Sequence, residues 1–326
     1  MTLKSAKISG IGYFVPKKVL SNHDLEKMVN TSDEWITTRT GIKERRMADK
    51  DESTADLAVK AAKSALKSAG VDADDVELII VATVTPDHLM PSTATIVQKK
   101  IKAKNAVAFD LNAACSGFVY AMTTAHQYIA TGFYKNALII GADTMTKFID
   151  FTDRNTCVLF GDGAGAVYLE ACKSGQGILG SCIKSNGVNF ISIPAGGSRM
   201  PPSAETVSDR QHFIDMEGIE VYKFAIKVVP EAVAEILEKC SLTVDDIDML
   251  IFHQANVRIV DTVCSKLNIS SEKSFVNLQK YGNTSAASIP IALCEALDEG
   301  AVKKGDTVIL VGFGAGMTWG ATALKL

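Results

Sequence analysis

The chain has 326 residues, 47% hydrophobic and 22% charged, with 34 Lys and Arg against 37 Asp and Glu for a formal net charge of −3. At roughly 150 residues per domain this is enough for two domain-sized units with a large shared core, and the composition excludes a disordered chain. The near-neutral balance offers no global field for a phosphate backbone, so nucleic acid is not an expected partner.

Met1 to Pro16 has no apolar stretch followed by a small-residue cleavage site, so a signal peptide is not expected. The longest apolar runs, such as Leu78 to Ala82, fall far short of the ~18 residues of a membrane span. The expectation is a cytoplasmic protein with no membrane association. Cysteines stand at 115, 157, 172, 182, 240, 264 and 294, an odd number without a Cys-x-x-Cys pair. That pattern fits reduced thiols and gives neither a disulfide framework nor a metal site.

In chain order, Leu57, Ala58, Ala61, Ala65, Leu66 and Ala69 recur at helical spacing, with Ser53-x-x-Asp56 before them and Gly70 after. This predicts a capped amphipathic helix over 54–69. Val76 to Val81 follows as a strand apolar enough to be covered on both faces. Val107 to Leu111 reads as a strand, and Val119, Met122, Ala125 and Ile129 as a helix. Asn136 to Gly141 and Val167 to Glu170 are further strands. Ser185 to Ser208, rich in Gly, Pro and Ser, is an excursion from the core.

The phrases then return. Val229, Val233, Ile236 and Leu237 mark a helix, and Ile247 to Phe252 a strand 171 residues after the one at Val76. Asp306 to Val311 repeats Asn136 to Gly141 at 170 residues, and Phe275 to Leu278 looks like the partner of Val107 to Leu111. Two pairs at nearly one offset indicate an internal duplication, with halves of 1–175 and 176–326. The fold class is α/β.

Cys115 lies after one strand and before one helix, where unpaired N–H groups and the helix dipole favour a thiolate and lower a thiol pKa. It is the candidate nucleophile; the other six cysteines read as small core residues. His253, Asn283 and the loop Gly312 to Gly316 also follow strand ends, the edge where open α/β sheets place ligands. Gly161 to Ala166 approaches a dinucleotide fingerprint, but a strand follows it where that motif needs a helix.

Through 31–36, 39–42, 113–117, 160–166, 253–256, 281–285 and 312–320, the chain resembles the β-ketoacyl-acyl-carrier-protein synthase III family of the thiolase superfamily. The resemblance implies a thiolase-like, five-layered αβαβα fold built from two duplicated halves, working as a homodimer. It implies decarboxylative Claisen condensation of a short acyl-CoA, acetyl-CoA or a similar starter, with malonyl-acyl carrier protein. This starts fatty-acid biosynthesis through an acyl-cysteine, without metal or cofactor. By that likeness Cys115, His253 and Asn283 are catalytic, and the N–H groups of Cys115 and Ala315 form the oxyanion hole. Trp35 and Arg154 would sandwich the CoA adenine, and Arg39 would meet phosphate. Thr31, Gly218 and Asn256 would line the CoA and pantetheine path, and Met90 the acyl pocket. Lys223 and Arg258 would dock the carrier protein. Ala315 stands where the family usually has glycine, and strain is expected there if the backbone keeps the glycine angle.

The rivals are a condensing enzyme for a polyketide or quinolone starter, and a Cys/His/Asn thioester hydrolase. Against the latter stand the flanks of Cys115 and the repeated α/β pattern.

Overall fold

The structure is a computed structural model and describes residues 4–326. One sheet has the spatial order Ser5–Phe14, Asp162–Cys172, Asn136–Thr144, Leu78–Ala82, Val107–Leu111. A second has the order Gly177–Ser185, Thr318–Lys325, Thr307–Gly314, Met249–Phe252. Pairing follows one scheme in both: the first three strands of each order are antiparallel neighbours, and the next step is parallel. Among the described residues the fifth place of the second sheet holds no strand. Ser274 makes a single parallel bridge to Leu250, and Leu278 opens a short helix instead, which corrects the strand expected over 275–278.

Helices Gly117–Ala130 and Ser288–Asp298 lie between the sheets. Phe118, Met122, Ile289 and Leu293 share one fully apolar cluster with Ile80, Ile139, Ile251 and Leu310 from both. Thr54–Ala69 and Thr93–Ile101 cover the outer face of the first sheet, and Gly218–Cys240 and Val257–Leu267 that of the second. The result is the five-layered αβαβα arrangement. Strands buried on both faces are continuous apolar runs for this reason.

Local chemistry sets the element ends. Ser53 and Asp56 form a reciprocal capping box, and Gly70 closes the helix at φ +68°. Losing such an N-cap costs about 1 kcal/mol. Gly10 and Gly12 let this helix lie on the first strand, since a Cβ on either would sit 2.4 Å from the Ala65 backbone. The helix marked by Val229 to Leu237 is longer than its apolar pattern, running Gly218–Cys240 through Pro230. The strands expected from Val76 and Ile247 begin at Leu78 and Met249. The excursion folds back as a ribbon, Ile191–Ser192 against Asp215–Met216, held by the Arg210–Asp150 ion pair and by Ile214 N–H donating to Phe148 C=O at 2.9 Å. Among the described residues no helix is long and apolar enough to cross a membrane.

Candidate active site

Cys115 occupies a 3₁₀ turn, Ala114–Ser116, between the edge strand Val107–Leu111 and helix Gly117–Ala130. The turn is tight enough to hold Ala114 at φ +47°. Gly314 closes over it, because a Cβ at 314 would lie 2.5 Å from the Cys115 nitrogen. No side chain other than hydrogen fits. Among the described residues the Cys115 N–H donates to no other residue, and it faces that gap.

The turn is tied to the loop that carries Ala315. Ser116 Oγ lies 2.8 Å from Thr318 Oγ1, which lies 2.9 Å from Ala113 C=O and 3.0 Å from Ala315 C=O. These two hydroxyls fix the Cys115 turn relative to the Ala315 loop, and neither was singled out from the sequence. The strain expected at Ala315 is absent: the left-handed residue of this loop is the next one, Gly316, at φ +117°.

Burial pushes the Cys115 thiol up to about 12. This corrects the expectation of a lowered value. A helix N-terminus supplies about 0.3–1 kcal/mol, and one pKa unit is worth about 1.4 kcal/mol, so desolvation outweighs the dipole.

His253 follows strand Met249–Phe252 and is buried, its backbone N–H donating to Val311 C=O at 2.8 Å. Its Nδ1 is 2.7 Å from Ser288 Oγ, which also accepts the Gln254 N–H at 3.4 Å. A Ser288 hydroxyl that accepts this N–H and donates its own proton to Nδ1 uses both its functions, and in that arrangement the imidazole proton sits on Nε2. Burial lowers the His253 pKa to about 3, so the ring is neutral at physiological pH. Asn283 is buried with its N–H on Leu159 C=O at 2.8 Å. Its Oδ1 accepts the Ser285 N–H at 2.8 Å, leaving Nδ2 as the free donor. Both groups are uncharged donors, the type that stabilises a developing oxyanion without a net charge of its own.

Cys115, His253, Asn283 and Ala315 line one cavity of about 930 Å³. Trp35, Arg39, Gly218, Asn256 and Arg258 line it as well, and Ile191, Ile214, Met216 and Phe313 supply apolar wall. Asn112, which the sequence reading passed over, is also on the lining. Four expected residues are not. Arg154 sits in a neighbouring depression with Met28 and Asn30, its guanidinium 4.7 Å from the Trp35 ring centroid and donating to Asn30 C=O at 3.1 Å. Arg39 lies 5.1 Å from the same ring, so the indole is already flanked by two cations. Thr31 keeps its hydroxyl buried without a hydrogen-bond partner among the described residues. Lys223 is paired with Glu220 at 2.7 Å. Met90 is 83% exposed, beside an equally exposed Leu89. Among the described residues no His, Cys, Asp and Glu group is arranged to hold a metal ion.

Residues 109–187 match the family model for 3-oxoacyl-[acyl-carrier-protein] synthase III, and residues 237–326 match the model for its C-terminal part. A β-ketoacyl-[acyl-carrier-protein] synthase III of Caldanaerobacter subterraneus subsp. tengcongensis is 55% identical over 323 residues, covering 98% of each chain. The crystal structure of 3-oxoacyl-[acyl-carrier-protein] synthase III from Aquifex aeolicus superposes with a TM-score of 0.92 at 47% identity, over 98% of this chain and all of that one. The priming β-ketosynthase of the R1128 polyketide pathway also superposes at 0.92, with 33% identity over 99% and 97% of the two chains. With Cys, His and Asn meeting in one cavity of the same fold, the chain belongs to the β-ketoacyl-acyl-carrier-protein synthase III family of condensing acyltransferases.

Proposed function

We propose that the chain condenses a short acyl-CoA with malonyl-acyl carrier protein, using Cys115 as nucleophile and His253 with Asn283 as paired donors. The observation that carries this is a single cavity holding a buried thiol and two neutral donors, with Trp35, Arg39 and Arg258 also on its lining. In the first half-reaction the Cys115 sulfur bonds to the thioester carbon. The N–H groups of Cys115 and Ala315 hold the resulting oxyanion, and collapse expels CoA, whose sulfur takes the proton that Cys115 gives up. One thioester replaces another, so little free energy is lost.

In the second half-reaction the malonyl carboxylate leaves as carbon dioxide. The electron pair moves onto the thioester oxygen, held by His253 Nε2–H and Asn283 Nδ2–H. The enolate carbon then attacks the acyl carbon on Cys115, the C–S bond breaks, and the thiolate takes a proton from solvent. The loss of carbon dioxide supplies the nucleophile, so no strong base is required, which suits a histidine that is neutral at physiological pH.

Trp35 and Arg154 would hold the adenine once Arg154 swings off the indole, with Arg39 meeting phosphate and Thr31, Gly218 and Asn256 along the path. Arg258 and Lys223 would meet the acidic carrier protein. An exposed Met90 fits a homodimer in which it reaches the partner's acyl pocket. The protein would be cytoplasmic and need no cofactor. A polyketide starter is the second reading, favoured by the likeness to the R1128 priming enzyme.

Mass spectrometry of the intact protein with a panel of acyl-CoAs tests the reading. An adduct forms on the parent and is lost in Cys115→Ala. Added malonyl-carrier protein then discharges it as β-ketoacyl product. An adduct that only hydrolyses would overturn condensation.

A further inference from the structure

Asp143 is completely buried near the end of strand Asn136–Thr144 and has no cationic partner among the described residues. Its carboxyl is surrounded by donors instead. Oδ1 accepts from Thr83 Oγ1 at 2.9 Å, Val84 N at 2.9 Å, Thr85 N at 3.1 Å and Thr85 Oγ1 at 2.9 Å. Oδ2 accepts from Ala286 N at 3.2 Å. Thr85 Oγ1 in turn receives the Thr144 N–H at 2.9 Å, which directs its own proton to the carboxylate. Burial acts against the charge and raises the pKa, but every partner donates, the arrangement an anion takes.

The two oxygens hold different loops. Oδ1 fixes the strand-end loop Thr83–Thr85, whose Val84 lines the cavity; Oδ2 fixes the turn Ser285–Ala287, whose Ser285 lines it too. That turn is strained, with Ser285 at φ +51°. Its Ser285 N–H is the group that orients the Asn283 amide. The Ser285 hydroxyl, buried and without a well-formed hydrogen bond, lies beside both the Cys115 thiol and the Asp143 carboxyl.

We propose that Asp143 is a positioning residue for the decarboxylation step, holding Asn283 in its donor orientation through the Ala286 N–H and the Ser285 turn. It touches no substrate. The proposal rests on the reading of Asn283 given above.

Asp143→Asn keeps the shape and removes one acceptor. With its oxygen retained by the four donors of the Thr83–Thr85 side, its NH₂ faces the Ala286 N–H and pushes the turn away. Two half-reactions are measured on the folded variant: acylation of Cys115 by acyl-CoA, and carbon dioxide release from malonyl-carrier protein by the acylated enzyme. The expected result is acylation within about threefold of the parent and decarboxylation slowed at least tenfold. Removing the charge also makes the thiol easier to ionise, so alkylation of Cys115 by iodoacetamide at neutral pH becomes faster. A purely structural role would not produce that combination.

Equal loss in both half-reactions, or unchanged decarboxylation, overturns the proposal. Asn283→Ala run alongside separates the two readings: if it leaves decarboxylation intact, the assignment of Asn283 fails, whereas a slow Asn283→Ala beside a normal Asp143→Asn defeats this proposal alone. Should Asp143→Asn fail to fold, Thr83→Val, which loosens the carboxylate by one donor, is expected to show the same split at two- to fivefold. An absent split there overturns the proposal equally.

Discussion

Two turns in this molecule share one backbone and do opposite work. Ala114–Ser116 and Ser285–Ala287 are both 3₁₀ turns that open a central helix, and both hold their first residue at positive φ, Ala114 at +47° and Ser285 at +51°. They lie 171 residues apart, and so do the residues packed against them. A Cβ on Gly312 would lie 3.0 Å from Ser116, and one on Gly141 would lie 2.2 Å from Ala286. What differs is the next contact. Opposite Ala286 stands Asp143, whose carboxylate takes the turn's N–H; opposite Cys115, at the matching position, stands Gly314, which takes nothing. The same turn is therefore anchored by a carboxylate at Ser285–Ala287 and leaves an open N–H beside the Cys115 thiol at Ala114–Ser116. A second pair diverges in the same way. Gly117 packs against Ala82, where an added Cβ would be 3.1 Å away, while the matching Ser288 and His253 meet in a hydrogen bond.

Closing the open turn should have the largest effect. In Gly314→Ala the new methyl occupies the space in front of the Cys115 N–H, and removing one oxyanion donor costs on the order of 10²–10³ in rate. Stopped-flow or mass-spectrometric acylation by acyl-CoA should fall by about that factor in a chain that remains folded. A variant acylated at the parent rate would mean that the free N–H is not what separates the two turns. Next in size is Ser288→Ala, which makes the second pair resemble the first. His253 keeps its place but loses the hydroxyl that sets its tautomer, so carbon dioxide release should drop about tenfold with acylation unchanged. A drop in acylation instead would place His253 in the first half-reaction.

Much of this was legible in the sequence, for physical reasons that can be named. Helix 54–69 announced itself because its signals are local: a capping box three residues wide, an apolar stripe and a terminal glycine. The strand end that carries His253 was legible because a buried parallel strand is a short apolar run, whereas Asn283, expected after a strand, follows the short helix Leu278–Tyr281 instead. The segment 275–278 has the same apolar look and is not a strand, since Leu278 is buried by starting a helix rather than by pairing. The hydroxyls of Ser116, Ser288 and Thr318 were not legible at all. Each has a partner 35 to 205 residues away along the chain, and a serine or threonine in isolation reads as a cap or a surface residue. Asp143 was hidden likewise, because a buried unpaired carboxylate is explained only by donors from two separate loops. Met90 and Leu89 stay exposed in the single chain, so a pocket role for Met90 has to come from outside it.

The smallest effect concerns stability, and it separates His253 from its counterpart Ala82. In the unfolded chain a histidine takes a proton near pH 6.5, but in the folded protein His253 resists protonation until about pH 3. Between those values the unfolded state binds more protons than the folded one. The stability associated with the neutral imidazole is therefore fully present above about pH 6.5 and is lost as pH falls toward 3. By pH 5 the loss is about 1–2 kcal/mol, at 1.4 kcal/mol per unit. Asp162, which burial raises to about 6, acts in the opposite sense over its own window, losing stability as pH rises from the unfolded carboxylate value toward 6. It is present in both parent and His253→Ala, so it cancels when the two are compared. The melting temperatures of parent and variant, measured from pH 7.5 to 5, should therefore shift relative to each other, the parent losing ground by a few degrees as pH falls. A difference that stays constant across that range would mean that His253 titrates in the fold as freely as it does in the unfolded chain, and that burial does not hold it neutral.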